Sequence, residues 1–526
     1  MNTRLEDYFA PFRENIIGHY HEFNSCYGRK RILYADWIAS SRFYKVIEEN
    51  MQEFIMPYVA NTHTESSFTG TTLTLAYNES KEIIKRHVNA SQADKLIFCG
   101  SGMTAAIAKL QRILGLKVPE RFESYLNDSS EPGILERFLG RSSKVEKFKF
   151  KKNHKPIVFV THMEHHSNHT SWLETIAEVE IINANSEGLV CLDHLDKLLE
   201  KYKDRAYKIA SVTACSNLTG IETPYHEIAK RMHRANGLCF VDFAASAPYC
   251  NVDMHPEDEE SYLDAIFFSP HKFLGGPGTP GVLIFNEKLY NNNCPDIPGG
   301  GTVTFTNAWF SHDYIDDIEV REDGGTPPFI QGIRAAMAVK LKEKMGVGKI
   351  HNRKTELIEM FFEGLKDSDK IHIIADHIKN RHGALSIMID DMHYNLVVKL
   401  LNDVYGIQVR GGCVCAGTYG HYLLNLQKDD SQKIRSKILT GDLSERPGFV
   451  RVSIHPTMTN QEMKFILNAL HEIASKADFY KSEYKYNPSN NEFYHNSEHG
   501  IHKGNAQIDR IFNLGALSKS EPVMNN

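Results

Sequence analysis

The sequence predicts a mainly parallel α/β sheet covered by helices on both faces, and three observations carry that expectation. Short apolar runs bounded by turn residues recur along the first half of the chain. Segments with helical spacing separate them, the alternation that builds parallel sheets. The residues with the most chemistry stand just after the apolar runs, where open α/β sheets bind their ligands.

In chain order, residues 95–100 (KLIFCG), 156–162 (PIVFVTH), 207–214 (YKIASVTA), 238–245 (LCFVDFAA) and 264–270 (DAIFFSP) read as strands. They are apolar almost throughout, as strands buried on both faces should be. Residues 103–116 (MTAAIAKLQRILGL) and 225–237 (YHEIAKRMHRANG) carry helical spacing, the second ending on Gly237 in the place of a helix C-cap. The expected organisation has four parts. Residues 1–45 form an N-terminal segment packing with a small domain, and 46–335 a large ligand-binding domain with a charged insert over 117–155. After a helical stretch over 332–346, residues 336–476 form a smaller C-terminal α/β domain. Residues 477–526, polar and aperiodic, read as a loosely held tail.

Composition narrows the function. The 526 residues are 41% hydrophobic and 24% charged with a formal charge of -6, which offers no basic surface for nucleic acid. No apolar run is long enough to span a bilayer, and the N-terminus carries acids and no signal-peptide core. Nine scattered cysteines make no disulfide framework. The expectation is a cytoplasmic protein with a small-molecule substrate.

Four features carry chemistry. In GSGMTAAI (100–107) a strand, a glycine turn and a helix start present backbone N–H groups at Gly102, Met103 and Thr104, the setting of a phosphate site. In THMEHHSNHTSW (161–172), His162, Glu164, His165, His166 and His169 crowd together. Their spacing matches neither HExxH nor HxxEH. A pocket-wall histidine stacking on a flat ligand is expected there and no metal, with a zinc site as the alternative. Asp242 ends an apolar strand and needs a partner, either Lys272 or a protonated ring nitrogen. Lys272 itself follows an apolar run and precedes a stretch of glycines and prolines. Phosphate, carboxylate, ring stacker and lysine together are what pyridoxal 5′-phosphate requires, with Lys272 as its Schiff-base residue.

The set resembles the class V aminotransferase family of fold-type I enzymes, most closely its cysteine desulfurase and selenocysteine lyase branch. SPHK (269–272) is similar to that family's Ser-x-His-Lys, which implies Ser269 and His271 near the phosphate and Lys272 as the lysine bound to the coenzyme. MEHHSN implies His165 as the ring stacker, and SVTACSNLTGIETP (211–224) implies that Asn217 faces the ring. EDGGTPP resembles a turn that reaches the neighbour's phosphate in family dimers, which implies a homodimer and a role for Thr326. VRGGCVCAGTYG (409–420) is similar to the desulfurase loop, making Cys415 the nucleophile that keeps a persulfide while L-cysteine leaves as alanine. A sulfur-acceptor protein belongs to the same expectation. VRVSIH supplies Arg451 for the substrate carboxylate. Cys413 could resolve the persulfide, ligate a metal with Cys415, or pack. Ala245 stands where many desulfurases carry Gln. The alternatives are therefore another amino-acid transformation (transamination, elimination or epimerisation) in which Cys415 is not catalytic, and a non-catalytic metal-binding scaffold.

Overall fold

The structure is a computed structural model that describes residues 3–62, 66–121, 152–497 and 511–513. Seven strands form the main sheet: β1 (Asp94–Cys99), β2 (Ile157–Thr161), β3 (Glu178–Ile182), β4 (Lys208–Thr213), β5 (Leu238–Asp242), β6 (Ala265–Phe268) and β7 (Gly281–Asn286). Their spatial order is β1-β7-β6-β5-β4-β2-β3. Pairings from β3 through to β6 are parallel, and β7 alone runs backwards between β6 and β1. The carboxyl ends of the other six strands therefore open on one side.

The five strands expected from the sequence are all present; β1 is shifted by one residue, and the other four are shorter than their apolar runs. Period-2 packing explains their continuous hydrophobicity. In β6, Ala265 and Phe267 enter one core while Ile266 and Phe268 enter the other. The first of these cores lies under helix α1 (Met103–Ile113) and includes Trp172 and Phe240. The second continues into the C-terminal part of the chain. Two strands were not expected: β3, an edge strand with alternating charges, and β7, whose VLIF follows the glycine-rich stretch.

Helix α2 (His166–Leu173) follows β2, and α3 (Tyr225–Arg234) precedes β5. The C-cap of α3 needs correction. Asn236, with φ 53°, takes the left-handed position, and the Gly237 N–H closes onto the Met232 carbonyl at 2.7 Å. Gly237 is needed for space, since a Cβ there would meet Met232 Cε at 2.6 Å.

Helices α4 (Phe329–Met345) and α5 (Val347–Leu365) lead to a second, antiparallel sheet. Its strands are β8 (Ile371–Ile373), β9 (Ala384–Ile389), β10 (Arg410–Gly412) and β11 (Phe449–Ser453), in the order β8-β9-β11-β10. Helices α6 (Tyr394–Tyr405) and α7 (Asn460–Ser475) pack with it. The N-terminal segment joins it directly: Leu33–Tyr34 pairs in parallel with Ile407–Gln408, and Asp36 bridges Ser453.

The loosely held tail also needs correction over its first part. Residues 477–495 form a helix (Ala477–Glu483) and a hairpin (Tyr484–Asn487 with Glu492–His495). Tyr480 and Tyr484 are buried, and the Tyr484 hydroxyl donates to Asp403 at 2.9 Å. The tyrosines bury an otherwise polar segment. The insert over 117–155 lies largely outside the described residues. No helix among the described residues is long and apolar enough to cross a membrane.

One prediction arises from the reversed strand. A Cβ at Gly281, the first residue of β7, would stand 2.1 Å from the Gly102 carbonyl oxygen and 2.8 Å from that of Cys99. Gly281→Ala must push the turn after β1 aside, at a cost of about 1–3 kcal/mol. Denaturant unfolding measures the loss, and unchanged stability would contradict this packing.

Candidate functional site

The carboxyl ends of β1, β2, β4, β5 and β6 surround a cavity of about 220 Å³. Of the residues singled out in the sequence, Gly102, Met103, Thr104, His165, Asn217, Asp242, Ser269, His271, Lys272, Cys415 and Arg451 all line it. Thr326 does not; it is exposed on a turn outside the cavity.

The turn after β1 forms as the sequence suggests, with one difference. Gly102 has φ 80°, a conformation that favours glycine, and its missing Cβ leaves room for Ser269 Oγ and His271 Nε2. The Met103 N–H is not free, because it donates to Ser269 Oγ at 2.9 Å. Ser269 thus joins the helix start to the end of β6, and the Thr104 hydroxyl contacts that of Ser167 at 2.7 Å. Burial, aided by nearby Lys272, lowers His271 to about 4, so its imidazole is neutral at pH 7.

The histidine run divides among separate partners. Glu164 is a brace: it accepts from Thr161 Oγ1, Thr213 N and Asn168 Nδ2 at 2.6–2.9 Å, tying β2 to β4. Burial lifts its carboxyl to about 8. His162 Nε2 lies 3.2 Å from the Gly188 carbonyl, and His169 Nδ1 lies 3.1 Å from Thr418 Oγ1. No three His, Cys, Asp or Glu side chains converge among the described residues. These partners count against the zinc alternative. His165 caps α2, its Nδ1 accepting from Ser167 N at 3.1 Å. That bond leaves Nε2 to carry the proton, and burial lowers this histidine to about 3.

Asp242 is 3% exposed, and its Oδ1 accepts from Ala244 N at 2.8 Å. Burial raises its carboxyl to about 6, against the opposing influence of Lys272. Among the described residues, no hydrogen bond or ion pair within 4.0 Å reaches the Lys272 amine. The plain structural salt bridge between the two is therefore not made. Part of the Lys272 side chain is open to the cavity, yet the protein around its ammonium lowers its pKa.

The Asp242 carboxyl gives a pH prediction. Between about pH 4 and 6 the folded, ligand-free protein keeps a proton on Asp242 that the unfolded chain has released. Folding stability from this group therefore falls as pH rises through that window, by about 3 kcal/mol, and is flat above it. Thermal unfolding of wild type and Asp242→Asn from pH 4 to 7 checks the sign. The wild type should lose stability relative to the variant as pH rises, and a difference independent of pH would contradict it.

Asn217 donates from Nδ2 to the Val414 carbonyl at 2.6 Å, and its Oδ1 is buried without a partner among the described residues. Val414 (φ 34°) and Cys415 (φ 62°) are consecutive non-glycine residues in left-handed backbone, which stores strain of about 1–3 kcal/mol each. His166 holds this loop twice: its N–H donates to the Cys415 carbonyl at 2.7 Å, and its Nε2 accepts from Gly417 N at 2.9 Å. Cys415 is exposed, while the Cys413 thiol packs against Gly420 and donates to the Pro447 carbonyl at 3.1 Å. Of the readings open for Cys413, packing is the one its surroundings favour.

His166→Ala should free the Gly417 amide and loosen the loop by about 1 kcal/mol, a roughly fivefold faster exchange of that amide. Burial lowers the His166 pKa, so the clasp holds at neutral pH and fails on acidification when Nε2 gains a proton. Exchange at Gly417 that ignores both the substitution and acid would contradict the clasp.

Arg451 is buried on β11, with Nη1 donating to the Asn217 carbonyl at 3.0 Å and Nη2 to Asp36 at 2.7 Å. Its Nε has no partner among the described residues. Asp36 and Arg410 are the charged residues at the site that the sequence did not single out. Arg410 lay inside the quoted loop motif and lines the cavity, and Asp36 accepts from its Nε at 2.9 Å.

Several solved structures share this fold. The apo cysteine desulfurase of Thermococcus onnurineus superposes with a TM-score of 0.66 at 23% identity, covering 84% of this chain and 95% of that one. The cysteine desulfurase CsdA of Escherichia coli gives 0.66 at 19% identity, covering 89% and 98%. At these identities the likeness is one of fold. The sequence profile described as "Aminotransferase class-V" matches residues 33–121 and 145–466, and the chain belongs to that family. A probable cysteine desulfurase of Staphylococcus epidermidis is 27% identical over 391 residues, which is 74% of this chain and 84% of that protein. A cysteine desulfurase of Haloferax volcanii is 28% identical over 262 residues, 49% of this chain and 59% of that protein.

Proposed function

We propose that the chain is a pyridoxal 5′-phosphate enzyme that removes sulfur from L-cysteine, releasing alanine, with Cys415 receiving the sulfur. One observation carries this reading: an exposed thiol, a lysine amine without a partner among the described residues and a buried arginine line one cavity.

The residues present fit the coenzyme. The turn at Gly102 and the groups at Thr104, Ser269 and His271 suit its phosphate, and Asp242 suits a protonated ring nitrogen. The buried Asn217 Oδ1 lacks a donor that a ligand can supply, and His165 suits a ring face. When bound, the coenzyme supplies an aldehyde for an amine and an electron sink for the substrate's carbons. The rest falls to the chain. Lys272, its pKa lowered by burial, would be the amine that holds the coenzyme's aldehyde and would move protons at the substrate's carbon. Arg451 receives the substrate carboxylate. The Cys415 thiolate attacks the substrate's sulfur, and an S–S bond forms as the C–S bond breaks. The bonding pair stays with the substrate carbon, which gains a proton to become alanine.

The names of the relatives support the substrate. A second copy of this chain as partner, with Thr326 turned toward the neighbour's site, fits the exposed Phe68, Leu75, Trp309 and Phe310. A sulfur-acceptor protein would complete the cycle. Nine cysteines, none in a disulfide, fit a reducing, cytoplasmic setting. A second reading draws on Ala245, a pocket-wall position where many desulfurases carry Gln: another amino-acid transformation without a role for Cys415.

Incubation of the purified enzyme with L-cysteine and a reductant decides between them. Equal amounts of alanine and sulfide are expected. A keto acid or an altered amino acid without sulfide would overturn the first reading in favour of the second.

A further inference from the structure

Arg410 and Arg451 face each other directly across β10 and β11. Like charges directly opposite on one sheet face are destabilising, and here both guanidinium groups line the cavity. A carboxylate lies between them. Asp36 Oδ1 accepts from Arg451 Nη2 at 2.7 Å, and Asp36 Oδ2 accepts from Arg410 Nε at 2.9 Å. The backbone around Asp36 is fixed as well. Ser453 N donates to the Ala35 carbonyl at 2.7 Å, and Ala35 N donates to that of Gln408 at 2.9 Å.

One carboxylate offsets only one of two cations. The trio therefore keeps a net positive charge on the cavity wall, with Arg451 Nε buried and without a partner among the described residues. An anionic ligand group is what that arrangement lacks. We propose that Asp36 is a positioning residue that joins Arg451 and Arg410 into a single carboxylate receptor. The inference rests on the reading of the cavity as an amino-acid site and adds two residues to it. With Asp36 in place, each fork is held from behind and keeps donors for a ligand. Without that charge the arginines repel each other, and the fork of Arg451 loses its fixed angle.

The test uses the coenzyme-loaded enzyme and 3-mercaptopropionate, which has the thiol and carboxylate of cysteine but no amine to condense. Calorimetry should show binding to wild type, weakened tenfold or more by Asp36→Asn and by Arg410→Gln, and partly restored in Asp36→Glu. The KM for L-cysteine should rise in parallel while kcat changes less than threefold, and the visible absorbance of the coenzyme should be retained. Unchanged Kd and KM in Asp36→Asn would overturn the proposal. So would a Kd that responds to Arg451→Gln and not to Arg410→Gln, or losses of Tm, absorbance and kcat in step. Should Asp36→Asn fail to fold, Asp36→Glu and Arg410→Gln decide by the same readouts. Sulfide release by a wild type that does not bind the probe sinks this inference and leaves the proposed reaction standing. Probe binding that depends on Asp36, without sulfide release, does the reverse.

Discussion

Lys272→Ala should abolish turnover and the visible absorbance of covalently held coenzyme, while the fold persists. The amine lines the cavity, has no protein partner among the described residues, and is pushed by burial toward its neutral form. A neutral amine is the nucleophile that condensation with an aldehyde requires. Loss of such a nucleophile costs on the order of 10³-fold or more in rate. Stability should not fall, because the substitution removes a buried cation that makes no ion pair. Lys272→Arg keeps the charge but cannot condense, so it should be equally inactive. Absorbance and activity surviving in either variant would remove the lysine from the mechanism.

Cys415→Ala should separate two properties that Lys272→Ala loses together. Cys415 is not among the residues proposed to hold the coenzyme, so absorbance and its response to L-cysteine should be retained. Sulfide release should drop on the order of 10³-fold. Cys415→Ser keeps size and polarity without comparable nucleophilicity and should behave likewise. Either variant also keeps the backbone bond from His166 N to the carbonyl at position 415, so the loop should stay in place. Sulfide release at the wild-type rate from either variant would favour the reading in which the thiol is a bystander.

Much of this site was legible because its residues sit beside strands with an unambiguous pattern. Strands β4, β5 and β6 are buried on both faces, and Asn217, Asp242 and Lys272 follow at their ends. The edge strand β3 was missed because alternation of glutamate with valine and isoleucine identifies no core face by itself. The hairpin in residues 484–495 was missed for a related reason. Its Tyr484, Tyr486 and Phe493 alternate with polar residues in a segment whose overall composition is that of a tail.

Asp36 was not legible at all. Its meaning comes from Arg451, 415 positions away, and from Arg410, and no local pattern encodes such a pairing. The division of the histidine run was equally hidden. Glu164, His165 and His166 are adjacent in sequence, but partners on β4, on α2 and in the Cys415 loop pull them in three directions.

The bond between Asp36 and Arg451 has a consequence for how the protein comes to work during synthesis. The two halves of this contact are 415 positions apart, so Asp36 leaves the ribosome long before Arg451 does. A nascent chain ending before β11 holds every strand of the main sheet, yet it lacks the arginine that completes the cavity wall. Competence therefore arrives late and all at once, and fragments arrested before β11 should be inert.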